Sequence, residues 1–381
     1  MKTVTHIIKS QSFDSDGRLQ KWINSLMLND IKSEVFFVED DNKKKVRFVN
    51  DTKIESVPLF FRKYFKKRKG YIFKIPEYSM KTLQFLKKCD SDILIFHDVQ
   101  QYLNLLIILF FSLFKEKQIV WDLHELPHPI LFKYYFTRKV VKYILENVDV
   151  VVYTNNERRD YIYERLKMKE NEFFILNNYP NDTYLNEPHS SLPKELKDLR
   201  YGLPYILWLG GALQGRNFTT FFEAYKNVSD IFNLVILGRV DDLYIDEVND
   251  FINQEKVYNN FVKQEEMINY IDNAYFSVVL YKNTTPNNYY CEPNRLYQLI
   301  TRNIPAIVGC NPTMKAIIEK YKAGLILKDD GSDLELMNNA FHTIIKSDTH
   351  TELITNMENS TIKDDLTWES QIIYIINKLK S

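Results

Sequence analysis

Residues 291–309 read CEPNRLYQLITRNIPAIVG, and their reading decides the fold. A polar turn marked by proline (Glu292, Pro293, Asn294) opens a segment with apolar residues at helical spacing, which ends at Arg302 and Asn303. Pro305 then starts a short apolar run, Ala306, Ile307 and Val308, of the kind that fills a strand covered on both faces. A turn of this sort sets backbone N–H groups and the positive end of a helix beside whatever binds there, which suits a phosphate or a ribose. The plainer reading is a loop–helix–strand unit of an α/β domain with no ligand.

The same alternation extends in both directions. In the first half, apolar runs rich in β-branched and aromatic residues fall at 35–38, 93–96, 119–121, 150–153 and 173–176, with patterned helices at 19–28, 102–114 and 130–146 between them. A second series follows at 205–209, 234–237, 276–281, 306–308 and 324–327, with helices near 218–228, 265–273, 295–301 and 313–321. Continuous apolar strands alternating with helices imply parallel sheets covered on both sides. The polar stretch 177–204, with Pro180, Pro188, Pro193 and Pro204, separates the series. The expected organisation is a Rossmann-like domain at 1–185, a linker at 186–203, a second Rossmann-like domain at 204–362, and a last amphipathic helix within 363–381 carrying Trp368, Ile372, Ile376 and Leu379 on one face. Ligands of such folds bind beyond the carboxyl ends of the strands, so two such domains facing each other would form a cleft.

Composition narrows the function. A chain of 381 residues exceeds one compact core and fits two domains. With 50 basic and 50 acidic residues there is no global field to draw nucleic acid, and no basic stripe continues along the chain. Cys89, Cys291 and Cys310 lack metal or CxxC spacing, which points to a reducing, cytoplasmic setting. The start, MKTVTHIIKSQ, has no apolar signal core, and the longest apolar run, 103–114, is too short to span a bilayer and reads as a buried helix.

Polar groups at four strand ends carry the chemistry. His97 and Asp98 follow the run at 93–96; a histidine there can act as a base or orient a sugar hydroxyl, or simply bond locally at a loop start. Asp122, His124 and Glu125 follow 119–121; alternation points Asp122 and His124 to one side, though their spacing matches no common zinc ligand set, and no metal is expected. Gly210, Gly211 and Arg216 lie between a strand and a helix, where glycine lets backbone approach a phosphate and arginine neutralises it; the segment is neither a GxGxxG fingerprint nor a P-loop. The fourth group is the opening stretch, with Asn294, Arg295 and Gln298 along its first turns.

Together these blocks resemble the family 4 retaining glycosyltransferases of the GT-B fold, above all those that build bacterial surface polysaccharides. The resemblance runs in order through Asp16-Gly17-Arg18-Leu19, His97-Asp98, Asp122-Leu123-His124-Glu125, Asp149-Val150-Val151-Val152, Asn177-Asn178-Tyr179-Pro180, Gly211-Ala212-Leu213 with Gly215-Arg216, and Pro293-Asn294-Arg295-Leu296-Tyr297. It implies two facing Rossmann-like domains, a C-terminal helix that crosses back onto the first, and a nucleotide-sugar donor, a UDP- or GDP-sugar, used as substrate without a resident cofactor or metal. By motif His97 resembles the histidine at the reacting sugar, and Arg216 the basic residue on the donor diphosphate. Gly210, Gly211, Glu292, Asn294, Arg295 and Gln298 fall on the donor side, and Arg18, Asp98, His124 and Glu125 on the acceptor side.

The chain departs from the family at three positions: Tyr290 and Gln298 stand where its two glutamates often do, and Arg295 replaces its usual lysine. Gln298 can still hydrogen-bond a ribose without the charge-assisted bond of a carboxylate. The acceptor would be a saccharide, free or lipid-linked. Six of the eight residues from Arg62 to Lys69 are basic, with aromatics among them, which suits either contact with anionic lipid at the inner membrane face or a solvated edge. Two other outcomes stay open: a GT-B nucleotide-sugar epimerase, and a pseudo-glycosyltransferase that binds partners.

Overall fold

The computed structural model describes all residues except 1, 66–68, 170, 171, 198, 200, 201 and 265. The chain forms two units, Met1–Asn177 with Trp368–Ser381, and Asn178–Thr367.

The first unit is built on eight strands: β1 (Thr3–Lys9), β2 (Lys32–Val38), β3 (Lys45–Val49), β4 (Thr52–Ser56), β5 (Ile93–His97), β6 (Gln118–Leu123), β7 (Val150–Tyr153) and β8 (Phe173–Ile175). They lie in the order β3-β4-β2-β1-β5-β6-β7-β8, and only β3 runs antiparallel to its neighbour. Every residue of β5 and β7 is buried, as expected for central strands covered on both faces. Helix Trp368–Lys380 completes this core: Trp368, Ile372 and Ile376 pack with Trp22, Ile95 and Val152. The indole rings of Trp22 and Trp368 meet edge to face at 6.4 Å, and Trp368 Nε1 donates to Ser25 Oγ at 2.9 Å. Deleting an indole from such a place costs about 3–5 kcal/mol, so the last helix is part of this unit's stability.

The second unit holds six parallel strands: β9 (Tyr205–Leu209), β10 (Asn233–Leu237), β11 (Val257–Asn260), β12 (Phe276–Val279), β13 (Ala306–Val308) and β14 (Gly324–Ile326). Their order is β11-β10-β9-β12-β13-β14, the doubly wound Rossmann arrangement. The connectivity reverses between β9 and β12 here, and between β1 and β5 in the first unit. Those switch points are where such sheets take ligands. Leu196 and Leu199, from the polar stretch 186–203, are buried in the second unit's core.

Three helices differ from expectation. The run at 103–114 is not a buried helix throughout: it is helical only over Tyr102–Phe110, buries Asn104, Leu105 and Ile108, and leaves Phe110 and Phe111 exposed at its end. The segment at 130–146 breaks at Tyr134, whose backbone is extended, into Ile130–Lys133 and Tyr135–Asn147. Helix Tyr71–Leu86, with Pro76 inside it, follows the basic stretch. No helix among the described residues is long and apolar enough to cross a membrane.

Candidate functional site

In the second unit, β9 runs into Gly210, whose φ of +91° lies in the region glycine favours. Its N–H donates to Leu237 O at 2.8 Å, which fixes the turn against the end of β10. A methyl group built on Gly210 would run into Arg216 Nη1 and stand 3.2 Å from Arg295 Nη1. The positive φ favours glycine here, and two guanidinium groups converge over the strand end, into the space a side chain would take. Arg216 closes the 3-10 turn Gln214–Arg216, ahead of Asn217, whose left-handed backbone starts the next helix. Arg295 comes from the first turn of helix Asn294–Ile300 and is only 8 % exposed.

Both guanidinium groups lie over one ring, that of Tyr281, at 5.4 Å for Arg216 and 5.0 Å for Arg295. Arg295 donates to Leu209 O, and to Leu280 O at 3.5 Å, so it ties together the ends of the two strands at the switch point; its Nε has no partner. Among the described residues no carboxylate pairs with either arginine. Burial foremost, aided by the neighbouring Arg216 charge and opposed by Tyr281, pulls the Arg295 guanidinium down to about 10. Two like charges held together without a counterion, one of them desolvated, form a site that gains by accepting an anion.

The other donor-side residues are placed less directly. Helix Asn294–Ile300 has seven residues and no side-chain cap, so the two guanidinium groups rather than a helix dipole supply the charge here. Asn294 and Gln298, four apart on one helix face, are both half-buried. Glu292 is 5 % exposed and its carbonyl accepts from Asn178 Nδ2 at 3.4 Å. Gly211 is half-buried in the turn beside Gly210.

In the first unit a buried polar network stands under the ends of β5 and β6. Asp122 accepts from Arg18 Nη2 at 2.7 Å, Arg18 Nε at 3.0 Å, Trp22 Nε1 at 3.0 Å and His97 Nδ1 at 3.1 Å. Burial would push this carboxyl up, but Arg18 and the hydrogen bond from His97 hold it well below the ordinary carboxylate range. His97 Nε2 meets His6 Nδ1 at 2.9 Å. Burial, and then the His97 charge, keep the His6 imidazole far below its usual value.

With both nitrogens engaged and 1 % exposure, His97 reaches a ligand only through its neighbours. Arg18, 6 % exposed, is likewise spent on Asp122 and on Leu176 O at 3.0 Å. Both are held by the protein's own groups in this structure, where contact with a sugar is the sequence expectation. The reason is Asp122, a buried carboxylate that must be fully compensated.

The open groups at this sheet end are Asp98, His124 and Glu125. Asp98 has φ +68° and ψ 176°, a combination nearly confined to glycine, and its buried Oδ1 has no hydrogen-bond partner. His124 Nε2 lies 4.0 Å from that oxygen, and its Nδ1, 4.0 Å from Asp122 Oδ2, has no hydrogen-bond partner. Asp98 first, then burial, raise the Glu125 carboxyl, opposed by His124 and Arg158. Unpaired acceptors and an imidazole around a strained strand end suit the hydroxyl groups of a sugar.

His6, Trp22 and Tyr281 escape a sequence reading. His6 and Trp22 lie 91 and 100 residues from the partners they serve. Tyr281 has a local signal, as the first half-exposed residue after the apolar run of β12.

No protein-family model and no curated protein matches the chain. Solved structures match over its whole length. A sucrose-phosphate synthase from Thermosynechococcus elongatus is 14 % identical with a TM-score of 0.76, over 100 % of this chain and 98 % of its own. An alpha,alpha-trehalose-phosphate synthase (UDP-forming) from Burkholderia vietnamiensis is 10 % identical with a TM-score of 0.66, over 99 % and 100 %. A glycosyltransferase from Rickettsia africae is 13 % identical with a TM-score of 0.67, over 100 % and 99 %. The likeness shows the fold: two Rossmann-like domains of the GT-B type.

Proposed function

We propose that the chain is a retaining glycosyltransferase that moves a sugar from a nucleotide-sugar donor to a saccharide acceptor, free or lipid-linked, in bacterial surface-polysaccharide synthesis. The observation that carries the reading is the convergence of Arg216 and Arg295 over Gly210 without a carboxylate. Such a pair fits a diphosphate, and it stands at the switch point where doubly wound sheets bind nucleotides. The fold shared with a UDP-forming synthase makes a UDP-sugar the first donor to try, and a GDP-sugar the second.

In the reaction the bond between the anomeric carbon and the diphosphate oxygen breaks, and its electron pair stays on that oxygen. Arg216 and Arg295 stabilise the charge that develops there. The acceptor hydroxyl bonds to the anomeric carbon on the face just vacated, and its proton passes to the leaving phosphate oxygen. Asp98, His124 and Glu125 orient the acceptor, while His97 and Arg18 position the strand ends through Asp122. Gln298, where the family has a ribose-binding glutamate, favours a second reading, a chain that binds nucleotide without turnover. Lipid contact through the basic stretch would rest on Lys63 and Lys69, because Arg62 turns inward to Glu39 O and Asp40; residues 66–68 lie outside those described.

Calorimetric titration with UDP, GDP, ADP and CMP tests the reading, followed by product analysis with the matching nucleotide sugars. Binding of one nucleoside diphosphate with sugar transfer is expected. Failure of all four to bind would refute it, and binding without hydrolysis, epimer or transfer would select the second reading.

A further inference from the structure

His6 is a buried titratable group to which the proposed reaction gives no role. It lies in the middle of β1, level with Val35 of β2 and Ile95 of β5, and is fully enclosed. Its imidazole stacks on that of His97, with 5.2 Å between centroids and 19° between planes. The indole of Trp22 stands edge-on to both rings, at 6.5 Å and 6.4 Å. Packing therefore holds the two imidazoles in place, with His6 Nδ1 at 2.9 Å from His97 Nε2.

The chain of hydrogen bonds assigns the protons. Asp122 is ionised and can only accept, so the His97 Nδ1 that meets it at 3.1 Å carries a hydrogen. In a neutral His97 the other nitrogen, Nε2, is then an acceptor, and His6 Nδ1 must donate to it. His6 Nε2, buried without a hydrogen-bond partner, is left bare. The alternative is a cationic His97 that donates from both nitrogens. It would set two cations, Arg18 and His97, on one enclosed carboxylate and make His6 Nε2 an orphaned N–H. A bare acceptor is the milder defect.

We infer that His6 is a positioning residue: its Nδ1–H fixes the tautomer and ring orientation of His97, and through that strand end aims Asp98 at the acceptor. His97 is the last residue of β5, and the strained Asp98 follows it directly. The same junction is held by the Asp98 N–H on Asp122 O at 2.8 Å and by Gln101 Nε2 on His97 O at 3.2 Å. Without His6, His97 Nε2 is buried with no donor, and a ring that turns to find one moves the backbone that carries Asp98 Oδ1. The aim at an acceptor rests on the glycosyltransferase reading, whereas the tautomer stands without it.

The test compares the whole chain with His6→Asn, whose amide N–H sits where Nδ1 does, and with His6→Leu, which has no donor. Nitrogen-15 spectra of the histidine-labelled wild type should show His6 protonated on Nδ1 alone, the form that a solvated histidine disfavours. Transfer kinetics use UDP-glucose as donor and glucose, galactose, mannose and N-acetylglucosamine as acceptors. His6→Leu should raise acceptor KM by about three- to tenfold, the scale of one lost hydrogen bond. His6→Asn should restore it, and UDP affinity should hold in both variants. His6 protonated on Nε2, acceptor KM unchanged in His6→Leu, or no rescue by His6→Asn overturns the assignment. Where His6→Leu does not fold, the wild-type spectra decide by themselves. Transfer to none of the four sugars, with the Nδ1–H form in place, keeps the tautomer lock and counts against the glycosyltransferase reading alone.

Discussion

A side chain at position 210 would push the guanidinium of Arg216 aside, because a methyl group on Gly210 would occupy the space of Arg216 Nη1. The backbone there, at φ +91°, also disfavours any residue with a Cβ. Gly210→Ala should therefore displace Arg216 and lower kcat/KM for the donor by about tenfold or more, or about 1.4 kcal/mol of transition-state stabilisation. Steady-state kinetics on the purified variant checks this, with circular dichroism showing that the fold persists.

Asp98 separates strain from function. Its φ of +68° and ψ of 176° cost about 1–3 kcal/mol for a residue other than glycine. Asp98→Gly should melt at the wild-type temperature or above it and still lose acceptor affinity, because Oδ1 is gone. Asp98→Ala keeps the strain and should melt below Asp98→Gly. A glycine variant that melts lower than the alanine one would show that this backbone is not strained.

Removal of the charge on Asp122 should destabilise the first unit by about 3–5 kcal/mol, since Arg18 would stay buried without its partner. The folded-state pKa of Asp122 lies well below its ordinary 3.8. Its contribution is therefore present above that value and is lost as pH falls below it. Denaturant unfolding of wild type and Asp122→Asn should give curves that diverge at neutral pH and approach each other in acid.

Lys9, whose ammonium is pulled down by burial first, makes a linkage of the same sign in the alkaline range. The folded-state value of about 8 lies below the ordinary 10.5, so between them the unfolded chain binds more protons. Stability relative to Lys9→Met should rise as pH increases from about 8 to 10.5. Urea unfolding at both ends of that window checks it; a constant difference would mean that Lys9 titrates normally.

Much of the fold is legible in the chain because central strands such as β5, β7 and β9 are unbroken apolar runs, and Gly210 and Pro293 punctuate them. Strand β1 is not, because Thr5 and His6 interrupt its pattern and are buried through hydrogen bonds to groups far along the chain. Strand β11, VYNN, is a short edge strand with little apolar content. The convergence of Arg216 with Arg295 is legible only as two separate motifs, since 79 positions of sequence and the β9–β12 crossover lie between them. The same holds for Arg18 and Asp122: nothing local marks Asp122 as the carboxylate that Arg18 and His97 must serve.

The diphosphate claim is tested most directly by the affinity gap between a nucleoside diphosphate and its nucleoside. By calorimetry the wild type should bind UDP, or whichever diphosphate binds tightest, at least tenfold more strongly than the nucleoside, by the scale of a charged hydrogen bond. In Arg216→Ala that gap should largely close while nucleoside affinity holds. An unchanged gap in that variant would contradict the account.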